Sequence, residues 1–203
     1  MLNIAVFVSG RGSNLKSVYE KVSEKKVRVC AVVSDKKDCL ALNFASQNNI
    51  PVFCVSNKIK DGFLDYHELI AKLKEFSVDL IVLAGFLKKI PDEFVDNFEN
   101  KIINIHPALL PLFGGKGMYG LNVHQAVLDS GVKISGATVH FVDKIYDNGK
   151  IILQRSVDIS GSSSAEEIGK KVLNIEHELL PYVVELFADN RIKIENNNVI
   201  ITD

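Results

Sequence analysis

Apolar runs of strand length alternate with stretches of helical spacing through the first half of the chain. The runs cover Ile4–Val8, Val27–Val33, Val52–Val55, Asp79–Ala84 and Lys101–Ile105. Between them, apolar side chains recur every three or four positions, as they do on the buried face of a helix. Strands that are apolar at nearly every position are typical of a parallel sheet covered on both faces by helices. The pattern therefore predicts an α/β fold built on a Rossmann-like, doubly wound, mostly parallel sheet.

The pattern changes after residue 135. Gly136–Val142 and Lys150–Ile159 alternate apolar and polar positions and are separated only by a short loop, which predicts a late antiparallel excursion of the sheet. A long C-terminal helix follows, with a helix-capping serine within Ser162–Ser164 and apolar positions that continue to Phe187. The last residues, 191–203, predict a small hairpin.

The chain shows no internal repeat, low-complexity tract or linker, and 203 residues fit one domain. We predict a single domain over residues 1–203. Its first half, about residues 1–100, is expected to bind phosphate, and its second half, about residues 101–190, is expected to carry the catalytic residues, followed by the hairpin.

Composition narrows the function classes. A hydrophobic fraction of 47% and a charged fraction of 24% are ordinary for a soluble globular protein. A net charge of −1 gives no support to a nucleic-acid or membrane-surface partner. The three cysteines lack metal-type spacing and predict reduced thiols, no signal peptide is predicted at the N-terminus, and the longest apolar run is too short to span a bilayer. A cytoplasmic protein is expected.

A glycine loop follows the first predicted strand. The segment Ser9–Leu15 reads SGRGSNL and leads into a helix, so free backbone amides and close backbone approach predict an anion site. Ser13 and Asn14 could donate to a phosphate or cap the helix. A tight turn without a ligand is one alternative. A dinucleotide site that uses Asp35 is another, although the third glycine of that fingerprint is missing.

Asn104 and His106 end a predicted parallel strand, and Pro107 follows them. Residues two apart on a strand project to the same face, and ligands of open α/β sheets bind at the carboxyl ends of strands. An amide beside an imidazole there can stabilise an oxyanion and move a proton. Asp147 is the best candidate for a carboxylate partner that raises the pKa of His106. The alternative for His106 is a structural histidine.

The remaining histidines are weaker candidates. His140 could face the site or support it from behind, and His124 could cap a helix or contact the substrate. His67 and His177 are expected to be structural or solvent-facing. No group has the spacing of a zinc site, so no metal is expected.

Together, several motifs of the chain resemble the phosphoribosylglycinamide formyltransferases, a folate-dependent family of purine biosynthesis. The resemblance runs in order from residue 3 to about residue 190. It is carried by Gly10–Leu15, Leu83–Phe86, Asn104–Pro107, Leu109–Pro111 and Thr138–Gly149.

The resemblance implies formyl transfer from 10-formyltetrahydrofolate, as co-substrate, to the amine of glycinamide ribonucleotide. It implies that Asn104 and protonated His106 stabilise the oxyanion, that His106 protonates the leaving nitrogen, and that Asp147 raises the pKa of His106. Glu176 would contact the ribose. The substrate phosphate would be held by Gly12, Ser13 and Asn14.

The same resemblance implies a folate site that draws on both halves of the domain. It would consist of Leu87, Lys88, Lys89, Ile90, Asn104, Asp143, Lys144, Ile145, Tyr146 and Asp147. Lys88 stands where an arginine is common in the family, Lys144 where an acid is frequent, and Leu173 where a polar residue is usual. The glycine-rich segment Gly114–Gly120 is expected to flank the substrate.

Other functions within and outside this class stay open. A transfer-RNA formyltransferase or a formyltetrahydrofolate hydrolase would share the Asn-x-His and Asp pattern, but both need a further domain. A non-catalytic nucleotide-binding module could use the same fold. No nucleic acid or membrane is expected as a partner, and the protein is expected to be a monomer or a homodimer.

Overall fold

The structure is a computed structural model that describes all 203 residues. The strands are β1 (Leu2–Val8), β2 (Val27–Ser34), β3 (Val52–Cys54), β4 (Leu80–Leu83), β5 (Ile102–His106), β6 (Ile134–Phe141), β7 (Ile151–Asp158), β8 (Ile192–Glu195) and β9 (Asn198–Ile201). The helices are α1 (Ser13–Lys21), α2 (Leu40–Gln47), α3 (Tyr66–Glu75), α4 (Asp92–Asn97), α5 (Leu121–Asp129) and α6 (Ala165–Ala188).

Seven strands form one sheet in the order β3-β2-β1-β4-β5-β6-β7. β1 to β5 are parallel, while β6 and β7 each run antiparallel to their predecessor. β8 and β9 form a separate antiparallel pair. The predicted doubly wound sheet, its antiparallel excursion, the long C-terminal helix and the hairpin are all confirmed. The division into one domain with two functional halves stays a prediction.

The sheet is buried on both faces, which explains why the parallel strands are apolar at successive positions. Along β1, Ile4, Val6 and Val8 belong to a core cluster of 30 buried residues shared with α1, α2, α5 and α6. Ala5 and Phe7 point the other way, into a cluster of 19 shared with α3 and α4. None of the helices has the length and apolar content needed to cross a bilayer.

The strand order reverses between β1 and β4, because the chain passes outward through β2 and β3 and then returns to the other side of β1. Such a switch point leaves a crevice at the carboxyl ends of the strands. The glycine loop after β1 and the segment after β4 both lie at this edge. Ser9 joins them: its amide donates to Gly85 O (3.1 Å) and its Oγ accepts from the amide of Leu87 (2.9 Å).

Helix α6 is continuous although Pro181 lies inside it. Ser164 caps its first turn by accepting a hydrogen bond from the amide of Glu167 (3.2 Å). Because proline has no amide hydrogen, the carbonyl four residues earlier, that of His177, loses its helical donor. That oxygen instead accepts from Ser17 Oγ (2.7 Å) and Lys21 Nζ (2.9 Å), both on α1. Pro181 thus creates the acceptor on which α1 docks.

A double-mutant cycle tests this docking. Ser17→Ala should lower the free energy of unfolding by about 1 kcal/mol, because His177 O loses its better buried donor. In a Pro181→Ala background the restored amide of residue 181 can donate to the same carbonyl, so the cost of Ser17→Ala should shrink. Urea unfolding of the four proteins measures both costs. Equal costs in the two backgrounds would show that the proline does not govern this contact.

Candidate active site

The glycine loop is shaped by contact with α2. Gly12 has a φ of 78°, and a Cβ on it would lie 2.6 Å from Ala41 Cβ, so both the conformation and the contact require glycine. Gly10 O accepts from the amide of Ala41 (3.2 Å) and from the thiol of Cys39 (2.9 Å). The loop therefore lies on the start of α2 and leads directly into the N-terminus of α1, where backbone amides favour an anion.

The side chains in this loop behave differently from the sequence prediction. Gly12 is the N-cap of α1 and no side chain caps the helix, so the capping alternative for Ser13 and Asn14 is wrong. Asn14 is 7% exposed and its Nδ2 donates to Glu176 Oε2 (2.6 Å). Its Oδ1 is buried without a partner. A phosphate here would meet Ser13 and the backbone amides, while the side chain of Asn14 points to Glu176.

Glu176 is buried, which its position on a helix did not indicate. Burial raises its pKa to about 7, against the opposing effect of the hydrogen bond from Asn14. Desolvation wins because no cation faces the carboxylate. The protonated form also has a use here, since its hydroxyl could donate to the partnerless Oδ1 of Asn14 after a turn of the amide.

The structure brings together the three residues predicted from the strand end. Asn104 and His106 occupy alternate positions of β5. Asp147, in the loop between β6 and β7, places Oδ2 3.6 Å from His106 Nδ1. His106 is 3% exposed, so a charge on either partner of this pair would be little screened by solvent.

His140 contacts the same cluster and holds Asn104, which agrees with the supporting role that was one of its two predicted alternatives. It pairs with Asn104 across β5 and β6. Its Nδ1 lies 2.7 Å from Phe141 O and must donate to it, which leaves Nε2 of the neutral ring to accept from Asn104 Nδ2 (3.1 Å). Burial lowers the pKa of His140, which favours this neutral form. One amide hydrogen of Asn104 is thereby fixed, and the other stays free for a ligand.

The protonation of His106 differs from the prediction. Its Nε2 lies 2.8 Å from Phe113 O, so Nε2 carries a hydrogen, and its Nδ1 faces Asp147. Two oxygen acceptors on opposite sides of the ring both favour the imidazolium. Burial outweighs them and lowers the pKa of His106 below its ordinary value, although Asp147 and the Phe113 carbonyl pull it upward. Asp147 thus raises the pKa of His106 as predicted, but burial reverses the net direction of the shift in the ligand-free protein.

The backbone of Phe113 and Gly115, where the glycine-rich segment starts, contacts the side chains of His106 and Asp147 directly. Phe113 supplies the carbonyl that faces His106, and the amide of Gly115 donates to Asp147 Oδ2 (2.8 Å). Phe113 and Asp147 both have left-handed backbone conformations, with φ of 57° and 52°. Such conformations cost non-glycine residues energy and persist where surrounding contacts hold them. The sequence indicated a segment near the substrate but not this contact with the catalytic pair.

Apart from Asn104 on β5, the predicted folate residues lie on two segments, Leu87–Ile90 and Asp143–Asp147. Ile90 is 4% exposed and belongs to the core, while Leu87 is 46% exposed. On the second segment, Asp143 accepts from the amide of Ile145 (2.8 Å) and from Asn148 Nδ2 (2.9 Å), which shapes the loop that leads to Asp147. Lys144 pairs with Asp96 of α4 (2.7 Å), which ties the second segment to that helix. Lys88, Lys89 and Tyr146 are exposed.

A cavity of about 450 Å³ opens beside the second segment. Asp143, Lys144 and Ile145 line it, together with Val95 and Asp96 of α4. Neither Leu87–Ile90 nor the predicted catalytic residues line it. The structure thus brings part of the predicted folate site to an open cavity but leaves Asn104, His106 and Asp147 outside it. No group of three or more His, Cys, Asp or Glu side chains is arranged to hold a metal ion.

His124 lies in the first turn of α5, but Gly120 is the N-cap, so the capping alternative for this histidine is wrong. The ring is buried against Gly169 of α6, and its Nδ1 has no partner. Burial and the nearby His106 lower its pKa. His67 is exposed, as expected, and lies 3.6 Å from Glu93.

Comparison with known proteins identifies the family of this chain. A family model described as formyl transferase matches residues 2–184. The chain belongs to the formyl transferase family. A chloroplastic phosphoribosylglycinamide formyltransferase of Arabidopsis thaliana is 45% identical over 201 residues, which cover 97% of this chain and 68% of the relative. The enzyme of that name from Haemophilus influenzae is 34% identical over 97% of this chain and 92% of its own length.

Solved structures agree with this assignment. The crystal structure of phosphoribosylglycinamide formyltransferase from Anaplasma phagocytophilum superposes with a TM-score of 0.90 at 36% identity, covering 100% of this chain and 95% of the other. The chain spans 62% of the length of a second plant relative, the chloroplastic enzyme of Vigna unguiculata. Because the superposition on the Anaplasma phagocytophilum structure covers 100% of this chain, the shared fold includes the C-terminal hairpin.

Replacement of Glu176 by glutamine tests the charge state of the buried carboxyl. Because its folded pKa of about 7 lies above the ordinary 4.5, the proton stabilises the fold at low pH, and this contribution is lost as pH rises through 7. Glu176→Gln keeps the neutral form at every pH. The variant should gain stability over the unchanged protein between pH 5 and pH 8, by about 1–3 kcal/mol at the upper end.

Urea unfolding at the two pH values measures this gain. Glu178→Gln is the matched control, because that carboxylate lies on the same helix with an exposed side chain paired to Arg155. A gain that is independent of pH, or equal in the two variants, would contradict a raised pKa for Glu176.

Proposed function

We propose that the chain transfers the formyl group of 10-formyltetrahydrofolate to the amine of glycinamide ribonucleotide, a step of purine biosynthesis. The observation that carries the proposal is the cluster of Asn104, His106 and Asp147 at the end of β5, in a chain that resembles phosphoribosylglycinamide formyltransferases along its length. The folate is a co-substrate, and no metal takes part in the proposed reaction.

The proposed reaction has two steps. The substrate amine attacks the formyl carbon, and the carbonyl π electrons move to oxygen to give a tetrahedral oxyanion. This intermediate collapses, the bond from carbon to the folate nitrogen breaks, and that nitrogen takes a proton as tetrahydrofolate leaves. The proton lost by the attacking amine balances the one gained by the leaving nitrogen.

Each catalytic residue has a role that its surroundings support. The free amide hydrogen of Asn104 can donate to the oxyanion, because His140 holds the other. His106 supplies the proton for the leaving nitrogen, as general acid. Asp147 faces the ring and stabilises its cation. Since burial favours neutral His106 in the ligand-free protein, the developing oxyanion supplies the further negative charge that draws a proton onto the ring.

The two substrates are proposed to approach from opposite sides of this cluster. The phosphate would bind at Gly12, Ser13 and the first amides of α1, and the ribose hydroxyls would meet Glu176 beyond Asn14. The folate would lie along Leu87–Ile90 and the loop from Asp143 to Asp147. Ser9 connects these two regions through its contacts with residues 85 and 87.

Release of tetrahydrofolate should require the ribonucleotide. In the proposed reaction the acceptor amine is the nucleophile, so purified protein given 10-formyltetrahydrofolate alone should release almost none. Adding glycinamide ribonucleotide should start both folate release and formation of the formylated ribonucleotide, in equal amounts. Release into water without the acceptor would indicate a hydrolase, and binding without any turnover would indicate a nucleotide-binding module.

Removal of the proposed acid or its partner should slow the chemistry and leave substrate binding largely intact. His106→Ala and Asp147→Asn should each lower kcat by about 100-fold or more, since each acts on charge that develops in the transition state. His67→Ala, at an exposed histidine far from the site, is the control. An unchanged kcat in either variant would contradict the proposed role of the replaced residue.

The cytoplasm, and a monomeric or homodimeric state, stay predictions for this chain. The relatives include enzymes named as chloroplastic, so the family does not fix the compartment.

A further inference from the structure

A closed set of hydrogen bonds joins β7 to the segment that follows His106. Gln154 Nε2 donates to Leu110 O (2.9 Å) and to Thr138 Oγ1 (3.0 Å). The hydroxyl of Thr138 also accepts from the amide of Leu110 (3.1 Å) and donates to Ala108 O (2.6 Å). Both amide hydrogens of the glutamine, and the one donor and two acceptor positions of the hydroxyl, are therefore used.

These bonds fix the backbone of Leu110 from two directions. Thr138 and Ala108 are 0% exposed, so the two bonds of the Thr138 hydroxyl to the backbone lie where solvent cannot replace them, while the two bonds from Gln154 are half-buried. Thr138 pairs with His106 on one side and with Gln154 on the other, so the three residues form one row across β5, β6 and β7. The row runs from the edge strand of the sheet to the catalytic histidine.

Leu110 in turn supports the contact between the two catalytic side chains. A Cβ on Gly114 would lie 2.6 Å from Leu110 Cδ2 and 3.2 Å from Asp147 Cβ, so the bare backbone of Gly114 is packed between them. Its neighbours on either side supply the Phe113 carbonyl that faces His106 and the Gly115 amide that donates to Asp147. We call Phe113–Gly115 the glycine bridge.

We propose that Gln154 is a positioning residue for formyl transfer: by holding Leu110, it keeps the glycine bridge across His106 and Asp147. It acts through Leu110 and does not touch the reacting atoms. The inference rests on the proposed roles of His106 and Asp147.

A purely structural role for Gln154 would have a different signature. Its residue position is exposed on the edge strand β7, so its loss removes little buried surface. The hydrogen bond from its side-chain amide to Leu110 O, however, holds the residue that packs against Gly114 of the glycine bridge. The expected consequence of losing them is a shift of the bridge relative to the two catalytic side chains, and displacements of about 1 Å at a reacting site can cost as much as 100-fold in rate.

The main variant is Gln154→Met, which keeps the length of the side chain and removes both donors. Ser156→Ala is the matched control, because Ser156 is exposed on the same face of β7 two residues further on. Gln154→Glu is the second variant, because its carboxylate is equally long but cannot donate to Leu110 O. It should show the same loss of activity, and it replaces Gln154→Met in the test if that variant does not fold. Thr138→Val should reproduce the loss, and Thr138→Ser, which keeps the hydroxyl, should retain more activity.

The kinetic readout separates positioning from binding. Gln154→Met should lower kcat about tenfold and change KM for either substrate by no more than about twofold, because the bridge acts on the catalytic pair and not on the ligands. Losing the Phe113 carbonyl removes a contact that raises the pKa of His106. If protonated His106 is the acid, the fall of kcat at high pH should therefore move to lower pH in Gln154→Met and stay in place in Ser156→Ala.

Histidine NMR of the ligand-free protein gives a readout that needs no turnover. The His106 signal, identified by its absence in His106→Ala, should titrate at lower pH in Gln154→Met than in the unchanged protein. A shift of that titration in a protein without formyl transfer would support the positioning role and reject the proposed function. Normal transfer in the unchanged protein, with kcat and His106 titration unaltered in a folded Gln154→Met or Gln154→Glu, would overturn the positioning role alone.

Discussion

One carboxylate organises the catalytic end of this fold. Asp147 Oδ2 lies 3.6 Å from His106 and accepts from Gly115, while Oδ1 lies 3.7 Å from His140. Both imidazoles are nearly fully buried, and Asp147 raises the pKa of each against the effect of burial, together with the carbonyls of Phe113 and Phe141. Its backbone is held in a left-handed conformation, and the loop is shaped from its start by Asp143. The position of this carboxylate therefore connects the loop between β6 and β7 to both buried imidazoles and to the glycine bridge.

Burial shifts the pKa values of His106 and Glu176 in opposite directions. Burial lowers the pKa of His106 and raises that of Glu176 to about 7, because in each case the charged form loses more hydration than its partners return. Both groups therefore favour neutrality before ligands arrive. In the proposed reaction, a substrate would bring an oxyanion to His106 and hydroxyl donors to Glu176, and both contacts would favour the charged forms.

Much of the fold could be predicted from local pattern, since strand and helix periods follow from which faces are buried. Asn104 and His106 could be predicted because two-residue spacing at a strand end places both side chains on one face. Contacts made by chain topology could not. Asn14 and Glu176 are 162 positions apart, and the glycine bridge depends on backbone groups that carry no sequence signature. The net direction of the His106 pKa shift could not be predicted, because the sequence indicates the proximity of Asp147 but not the depth of burial.

The contact between α1 and α6 explains how distant residues reach register at the site. Pro181 frees the carbonyl of His177, and Ser17 donates to it from α1. Asn14 lies one helical turn before Ser17, and Glu176 directly precedes His177, so the same docking that satisfies the carbonyl sets Asn14 opposite Glu176. A proline within a helix, normally a defect, here specifies how two helices align. The contact between Asn14 and the proposed ribose residue Glu176 therefore depends on a missing amide in the helix interior, and we propose a comparable dependence of His106 and Asp147 on Gln154 at the sheet edge.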